Sequence, residues 1–135
     1  MLAQTPPMGW NSWNTFGPEI SAQVVMESAD TFIKEGLKDA GYEYIVIDDL
    51  WEADERIDGR LTWDARKFPD GIKPVADYVH GKGLKFGIYS CAGSHTCAGY
   101  SECFHATRAA NSVTPRFRGW GESWCGYCMA NNDPF

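Results

Sequence analysis

The sequence of 135 residues contains no run of 18 apolar residues, so it predicts no transmembrane helix. Basic residues are the minority, with 12 Lys and Arg against 18 Asp and Glu, and the formal net charge is −6. Because an acidic surface repels phosphate, we expect no nucleic acid as a partner. We also expect no membrane as a partner, since no apolar run is long enough to span one. The first seven residues lack the basic and apolar stretches of a secretion signal. The cytoplasm is therefore the default expectation, and the sequence does not indicate an oligomeric state.

The residues that are present suit a folded core. Hydrophobic residues make up 44% of the chain and aromatic residues 14%, which argues against intrinsic disorder. The length is that of one ordinary domain. The chain has five cysteines, an odd number, so at least one thiol stays outside any intrachain disulfide.

Apolar patterning predicts three short strands, over residues 8–13, 44–47 and 84–89, of which the first ends in a polar, aromatic loop over residues 11–17. The middle one is a continuous run, YIVI, which is typical of a strand buried on both faces. The stretch from 52 to 71 is polar and predicts a long loop, with a solvated acidic segment, EADE, at 52–55.

Two predicted helices separate these strands. The first begins at a Ser21 N-cap, repeats apolar residues at helical spacing and stops at Gly41. The second begins after an Asp70 cap and stops at Gly81 or Gly83. The resulting order, β-α-β-α-β, predicts parallel strands joined by right-handed crossovers.

Polar and aromatic residues collect where the predicted strands end. Ligands bind at the carboxyl ends of parallel strands, so this clustering indicates a binding site. An indole packs on the C–H face of a pyranose, and carboxylates accept hydrogen bonds from its hydroxyls. The combination favours a sugar as the ligand. The residues concerned are Trp10, Asn11, Ser12, Trp13, Asp48, Asp49, Trp51, Tyr89, Ser90 and Cys91.

Each of these side chains also has a simpler interpretation. Trp13 is equally compatible with core packing, and so is Tyr89. Asp48 is able to cap the loop that follows it, and two adjacent Asp residues suit Mg²⁺ as oxygen ligands. Since neighbouring strand residues point to opposite faces, Asp48 and Asp49 reach one ligand only if the chain bends there.

Seven motifs follow one another along the chain: PPMGWNSW at 6–13, DAGY at 39–42, IDDLW at 47–51, GRL at 59–61, FPDG at 68–71, GLKFGIY at 83–89 and TCAGY at 96–100. In this fixed order they resemble the amino-terminal part of a known enzyme family, the α-galactosidases of glycoside hydrolase family 27, also called melibiases. The resemblance implies an α/β fold, an incomplete (β/α)8 TIM barrel. Residues 1–100 would be the amino-terminal part of the catalytic barrel, with strands one to three, and residues 101–135 a divergent tail.

The resemblance also implies an activity. The family releases terminal α-linked galactose with retention of configuration, using one Asp as nucleophile and a second as acid and base. The expected partner is a small-molecule α-galactoside substrate, and no metal or organic cofactor is expected. In this chain Trp13 would form a wall of the galactose pocket, Asp48 and Asp49 would bind sugar hydroxyls, and Tyr89 would line the pocket. Leu50 stands where relatives often have Cys, which rules out a disulfide at that position.

After Tyr100 the sequence departs from the family pattern. The family continues to a motif like Lys-Tyr-Asp-x-Cys, in which the Asp is the nucleophile and the Cys pairs with the residue at Cys97. If Cys128 takes that place, giving a Cys97–Cys128 disulfide, Gly126 stands where the nucleophile should be. The acid/base Asp belongs to a later strand. We therefore assign no catalytic residue and expect a fragment that is aggregation-prone and inactive alone.

Several alternatives remain open at this stage. The chain is also compatible with a non-catalytic product that retains weak galactose contacts, or with an α-N-acetylgalactosaminidase or a β-L-arabinopyranosidase. The segment WCGYC at 124–128 resembles a thioredoxin-like redox centre but lacks a following helix. A zinc site built from Cys103, His105, Cys125 and Cys128 would have an unusual spacing.

Overall fold

The computed structural model describes residues 6–58, 60–90, 96 and 98. The chain divides into two compact units, the first made of Met1–Trp51 with Ala65–Tyr89 and the second of Glu52–Asp64 with Ser90–Phe135. The predicted divergent tail, and with it the Cys97–Cys128 pairing and the redox and zinc alternatives, lies outside the described residues.

The first unit is built on a parallel three-stranded sheet. The strands are β1 at Gly9–Asn11, β2 at Tyr44–Ile47 and β3 at Lys85–Ile88, and their spatial order is the chain order. Gly9 pairs with Tyr44 and Tyr44 with Lys85, so the three strands begin level with one another. This arrangement confirms the predicted strands and their parallel pairing.

Strand β2 is buried on one face only, which corrects the prediction of burial on both. Ile45 and Ile47 are fully buried, whereas Tyr44 and Val46 are partly exposed. The buried face is the helix-covered face. Trp10 pairs with Ile45 across the sheet. It lines one groove together with side chains of the helix at Ala22–Lys34. In the described residues the helices pack on one side of the sheet, so alternate β2 residues stay accessible.

The first strand leads into helical structure where the sequence predicted a loop. Helix α1 spans Trp13–Phe16, and a 3₁₀ turn covers Gly17–Glu19. Helix α2 then spans Ala22–Lys34 and begins as predicted, because Ser21 Oγ accepts a hydrogen bond from the Val24 N–H at 3.3 Å. Its buried side is formed by Val25, Ala29 and Phe32.

Helix α2 ends at Lys34, earlier than the predicted stop at Gly41. Gly36 adopts a φ of 70°, a left-handed conformation that glycine takes without steric cost. The Leu37 N–H then donates to the Phe32 carbonyl at 3.0 Å, which closes a Schellman motif. Apolar residues keep their helical spacing beyond Lys34, and for this reason the sequence predicted a longer helix. The spacing of apolar residues does not indicate where the backbone turns left-handed.

Helix α3 spans Ile72–Gly81 and ends in the same way, since Gly83 has a φ of 70° and the Leu84 N–H donates to the Val79 carbonyl at 3.2 Å. Its start differs from the prediction. The N-cap is Gly71 with a φ of 83°, and no side chain caps the helix, so Asp70 does not fill the predicted role.

The second unit contains residues 52–64 of the predicted long loop, and antiparallel bridges form within this stretch. Isolated bridges join Glu52 to Trp63 and Ile57 to Arg60. Glu52 is buried, with 1% of its surface exposed, so this end of the predicted acidic segment is not solvated.

In the described part of the chain, no helix combines the length and hydropathy that crossing a bilayer requires.

Candidate functional site

The candidate site lies at the carboxyl ends of the three strands. Backbone pairing continues past each strand end: the Ser12 N–H donates to the Val46 carbonyl at 3.1 Å, and the Tyr89 N–H donates to the Ile47 carbonyl at 2.8 Å. Residues that directly follow the strands are therefore held at one edge of the sheet. Asp48 is the central member of this group, because its strand lies between the other two.

Both carboxylate oxygens of Asp48 accept hydrogen bonds from the protein. Oδ2 accepts from Nδ2 of Asn11 at 2.6 Å, and Oδ1 accepts from the backbone N–H of Asp49 at 2.8 Å. The Asp48 N–H donates in turn to the hydroxyl of the buried Ser12 at 2.9 Å. This half-exposed side chain is thus fixed in orientation while part of it remains open to a ligand.

Asp49 is in a different environment from its neighbour. Only 2% of its surface is exposed, and its Oδ1 accepts a hydrogen bond from the Leu50 N–H at 2.8 Å. Leu50 has a φ of 71°, so the chain turns sharply after the strand instead of continuing extended. The chain therefore bends directly after the two aspartates.

Trp13 is linked to Asp48 through one intervening side chain. The Trp13 N–H donates to Oδ1 of Asn11 at 2.9 Å, and the same amide donates through Nδ2 to Asp48. The half-buried Trp13 begins helix α1. Trp10 instead packs edge-on against Phe16, with ring centroids 5.9 Å apart, and takes the packing role.

Tyr89 is half-buried and follows β3 directly. Its carbonyl accepts a hydrogen bond from Nε1 of Trp51 at 2.9 Å, and Trp51 is itself buried. The indole of Trp51 therefore braces the end of β3 and is part of the core.

Two residues of this network, Asn11 and Ser12, were noted in the sequence as polar residues but not assigned a role. Their partners lie 36 or 37 positions along the chain, so only the pairing of β1 with β2 reveals them. In the described ranges no group of three or more His, Cys, Asp or Glu side chains is arranged to hold a metal ion.

The model of the melibiase family described as alpha galactosidase A matches residues 5–128. The chain belongs to this family. Alpha-galactosidase A of Cellvibrio japonicus is 54% identical over 98 residues, which are 73% of this chain but 24% of that protein. The chain thus spans about a quarter of the length of this curated relative. The family match extends beyond residue 100, where the quoted motifs end.

Solved structures agree with the family. Alpha-galactosidase I of Mortierella vinacea is 43% identical with a TM-score of 0.73, over 89% of this chain and 30% of that one. The α-galactosidase of Saccharomyces cerevisiae, solved with raffinose, is 48% identical with a TM-score of 0.71, over 75% and 22%. A β-L-arabinopyranosidase of Geobacillus stearothermophilus is 38% identical with a TM-score of 0.59, over 64% and 24%. The predicted fold, part of a (β/α)8 barrel, is confirmed.

Proposed function

We propose that this chain forms the galactose-binding part of a retaining α-galactosidase barrel, with Trp13, Asp48, Asp49 and Tyr89 as the groups that contact the sugar. The observation that carries the proposal is the hydrogen-bonded series from the Trp13 backbone through Asn11 to the Asp48 carboxylate. It holds an indole-bearing residue and an acidic residue at the same edge of the sheet.

The chemistry of these groups suits a hexose. The oxygens of Asp48 are acceptors on a half-exposed side chain, and vicinal sugar hydroxyls are the donors that a carboxylate binds well. An indole supplies an apolar surface for the C–H groups of the ring. A related α-galactosidase has been solved with raffinose, which supports a small-molecule α-galactoside as the substrate class.

We assign binding roles, not covalent ones, to both aspartates. Asp48 accepts hydrogen bonds from protein donors at both oxygens, and Asp49 is almost fully buried. A retaining hydrolase needs a nucleophile and an acid/base about 5–5.5 Å apart on either side of the scissile bond. We propose that this pair belongs to other parts of the barrel and that the 135-residue chain alone does not hydrolyse the substrate.

Galactose titration by isothermal calorimetry, with glucose and L-arabinose in parallel, tests the sugar site. We expect galactose to bind and its C4 epimer glucose to bind at least about tenfold more weakly. A hydrogen bond to a carboxylate depends on the direction of the sugar hydroxyl, and the two sugars differ in the direction of the hydroxyl at C4. L-Arabinose lacks the C5 hydroxymethyl group, and stronger binding of this sugar would favour the arabinopyranosidase specificity seen in one relative.

Two variants assign the binding to the proposed residues. Trp13→Ala and Asp48→Asn should each weaken galactose binding about tenfold. Trp63→Ala is the matched control, because it removes an exposed indole that follows none of the three strand ends. Equal affinity for galactose and glucose, or a Trp13→Ala variant that binds like the parent, would contradict the proposal.

Complementation tests whether the two catalytic carboxylates lie outside this chain. The chain is mixed with the part of the Cellvibrio japonicus relative that lies beyond the matched 98 residues, and an aryl α-galactoside is the substrate. We expect no hydrolysis by either part alone and hydrolysis by the mixture, with α-galactose as the first product seen by NMR. Hydrolysis by the 135-residue chain alone would show that the catalytic pair lies within it.

A further inference from the structure

Lys67 joins two distant parts of the first unit. Its Nζ donates a hydrogen bond to the carbonyl oxygen of Leu50 at 2.7 Å, although the residues are 17 positions apart. Its own carbonyl accepts from the Ala22 N–H at 3.0 Å, at the beginning of helix α2. The lysine is half-buried, so its backbone is anchored while its ammonium group reaches the turn after β2.

The turn that Lys67 reaches is an unfavourable one for its sequence. Leu50 has a φ of 71°, the left-handed region in which a β-carbon crowds the backbone and which glycine usually occupies. Both polar groups of Leu50 are bonded, its N–H to Oδ1 of Asp49 and its carbonyl to the Lys67 ammonium. A charge-assisted hydrogen bond of this kind is strong enough to offset such a steric cost.

The conformation of Leu50 determines how the preceding aspartates are presented. The Asp49 carboxylate bonds to the Leu50 N–H, and the Asp49 N–H bonds to Oδ1 of Asp48. The Leu50 N–H belongs to the peptide unit between residues 49 and 50. If Leu50 became extended while strand β2 before it and the buried Trp51 after it kept their places, this peptide unit would have to rotate, and its N–H would turn away from the Asp49 carboxylate. Asp49 would then lose the hydrogen bond that fixes the direction of its side chain.

We propose that Lys67 is a positioning residue, which holds Leu50 in its left-handed conformation and thereby aims Asp48 and Asp49 at the sugar. This inference rests on the proposed galactose site. Lys67 acts through the Leu50 carbonyl and does not itself contact the ligand.

A double-mutant experiment on the full chain tests this role. Lys67→Met keeps the length of the side chain and removes the ammonium group, and it should weaken galactose binding about tenfold. Replacing Leu50 by glycine in the same variant should restore most of the affinity, because glycine adopts the positive φ without help. Leu50→Gly alone should bind nearly as the parent does. Lys73→Met is the control, since the Lys73 Nζ bonds to Asp77 and both side chains are exposed on helix α3.

Amide hydrogen exchange provides a readout that needs no sugar. The Leu50 N–H should exchange several-fold faster in Lys67→Met, and Lys67→Arg should restore its protection at least in part. If Lys67→Met cannot be measured because it unfolds, Leu50→Val strains the same turn with Lys67 intact, since a β-branched residue resists a positive φ. That variant should also lose galactose affinity.

The outcomes separate the two proposals. Parent-like galactose binding and exchange in Lys67→Met would overturn the positioning role. Lost affinity that Leu50→Gly does not restore, with unchanged exchange, would show that Lys67 contacts the sugar directly and would also overturn it. If the parent chain does not bind galactose, the proposed function fails, and the exchange rates alone then decide whether Lys67 holds the turn.

Discussion

Asn11 and Asp48 are joined by a 2.6 Å hydrogen bond from the side-chain amide to the carboxylate, although 37 positions separate them in the sequence. The same amide accepts the Trp13 N–H through its oxygen. Asn11 thus accepts a hydrogen bond from the Trp13 N–H, which follows β1, and donates one to the Asp48 carboxylate, which follows β2. Since neither aspartate nor alanine has both an amide N–H and a carbonyl in this place, the bridge is specific to an amide side chain.

Replacing Asn11 should therefore impair sugar binding through Asp48. We expect Asn11→Ala to raise the dissociation constant for galactose about fivefold, because Asp48 loses a partner that fixes its rotamer. Asn11→Asp should be worse, since it places two carboxylates side by side. Calorimetric titration measures both. Asn14→Ala, at an exposed position of helix α1, is the control, and an equal loss in that variant would point to a general effect on the helix.

The buried hydroxyl of Ser12 should contribute to stability as well as to the site. Ser12→Ala leaves the Asp48 N–H without its acceptor in a buried place, which costs about 1–3 kcal/mol of unfolding free energy. Urea denaturation followed by circular dichroism measures the difference.

Ser28→Ala is the matched control for this prediction. The Ser28 hydroxyl donates to the Val24 carbonyl within helix α2, and losing it leaves no backbone donor unsatisfied. We expect a change within about 0.5 kcal/mol. Equal destabilisation by Ser12→Ala and Ser28→Ala would argue against the special role of the buried contact.

Local patterns predicted the strands well and the helix ends less well. The run over β2 and the Ser21 cap rest on side-chain chemistry visible in the sequence, and the structure has both where they were expected. The end of α2 depends on the handedness of Gly36, and the start of α3 on that of Gly71. Gly36 and Gly41 both follow the apolar run and both take a positive φ, so the sequence alone does not show which of them ends the helix.

The candidate site shows the same division. Asp48 and Asp49 could be singled out because two acidic residues follow a buried strand directly. The contacts of Ser12 and Lys67 could not, because each depends on which segments of the chain lie side by side after folding. Register between β1 and β2 is set by long-range packing, and no short motif encodes it.

Close approach of the first two strands makes Gly9 a sensitive position. A β-carbon built at Gly9 would overlap the carbonyl oxygen and Cβ of Tyr44, its partner in β2. Because the obstacle is largely backbone, Gly9→Ala should separate the strands and destabilise the fold by more than about 2 kcal/mol. Thermal or urea unfolding measures this loss.

Gly81→Ala provides the comparison for this substitution. A β-carbon at Gly81 meets nothing within 4 Å, and the residue lies at the end of helix α3. Alanine favours helix over glycine, so we expect a neutral or slightly stabilising change of up to about 1 kcal/mol. A Gly9→Ala variant as stable as Gly81→Ala would mean that the strands pair less closely than the structure indicates.

An ion pair between Asp30 of helix α2 and Lys82, which directly follows helix α3, should make the stability of the fold depend on pH. The Asp30 carboxylate bonds to Nζ of Lys82 at 2.6 Å and to the Tyr78 hydroxyl at 2.9 Å. The hydrogen bond from Lys82, and after it that from Tyr78, lowers the pKa of Asp30 below its usual 3.8. Conversely, Asp30 first and then Tyr78 raise the pKa of Lys82 above 10.5.

The signs of these shifts define two pH windows. A lowered carboxyl pKa stabilises the folded state above pH 3.8, and this contribution is lost as the pH falls through the folded-state pKa of Asp30. A raised ammonium pKa stabilises below pH 10.5, and this contribution is lost as the pH rises through the folded-state pKa of Lys82. Asp30→Asn should therefore be less stable than the parent near neutral pH, with a difference that shrinks at both extremes.

Urea unfolding of the parent and of Asp30→Asn, measured from about pH 2.5 to about pH 11, follows this difference in unfolding free energy. NMR titration of the Asp30 carboxyl carbon gives its pKa directly, and Tyr78→Phe should raise that pKa part of the way towards 3.8 because one of the two hydrogen-bond donors is gone. Both groups are solvent-exposed, so high salt should reduce the whole effect. A carboxyl that titrates at or above 3.8 in the parent, or a stability difference that is the same at pH 3 and pH 7, would show that this pair does not link the helices in solution.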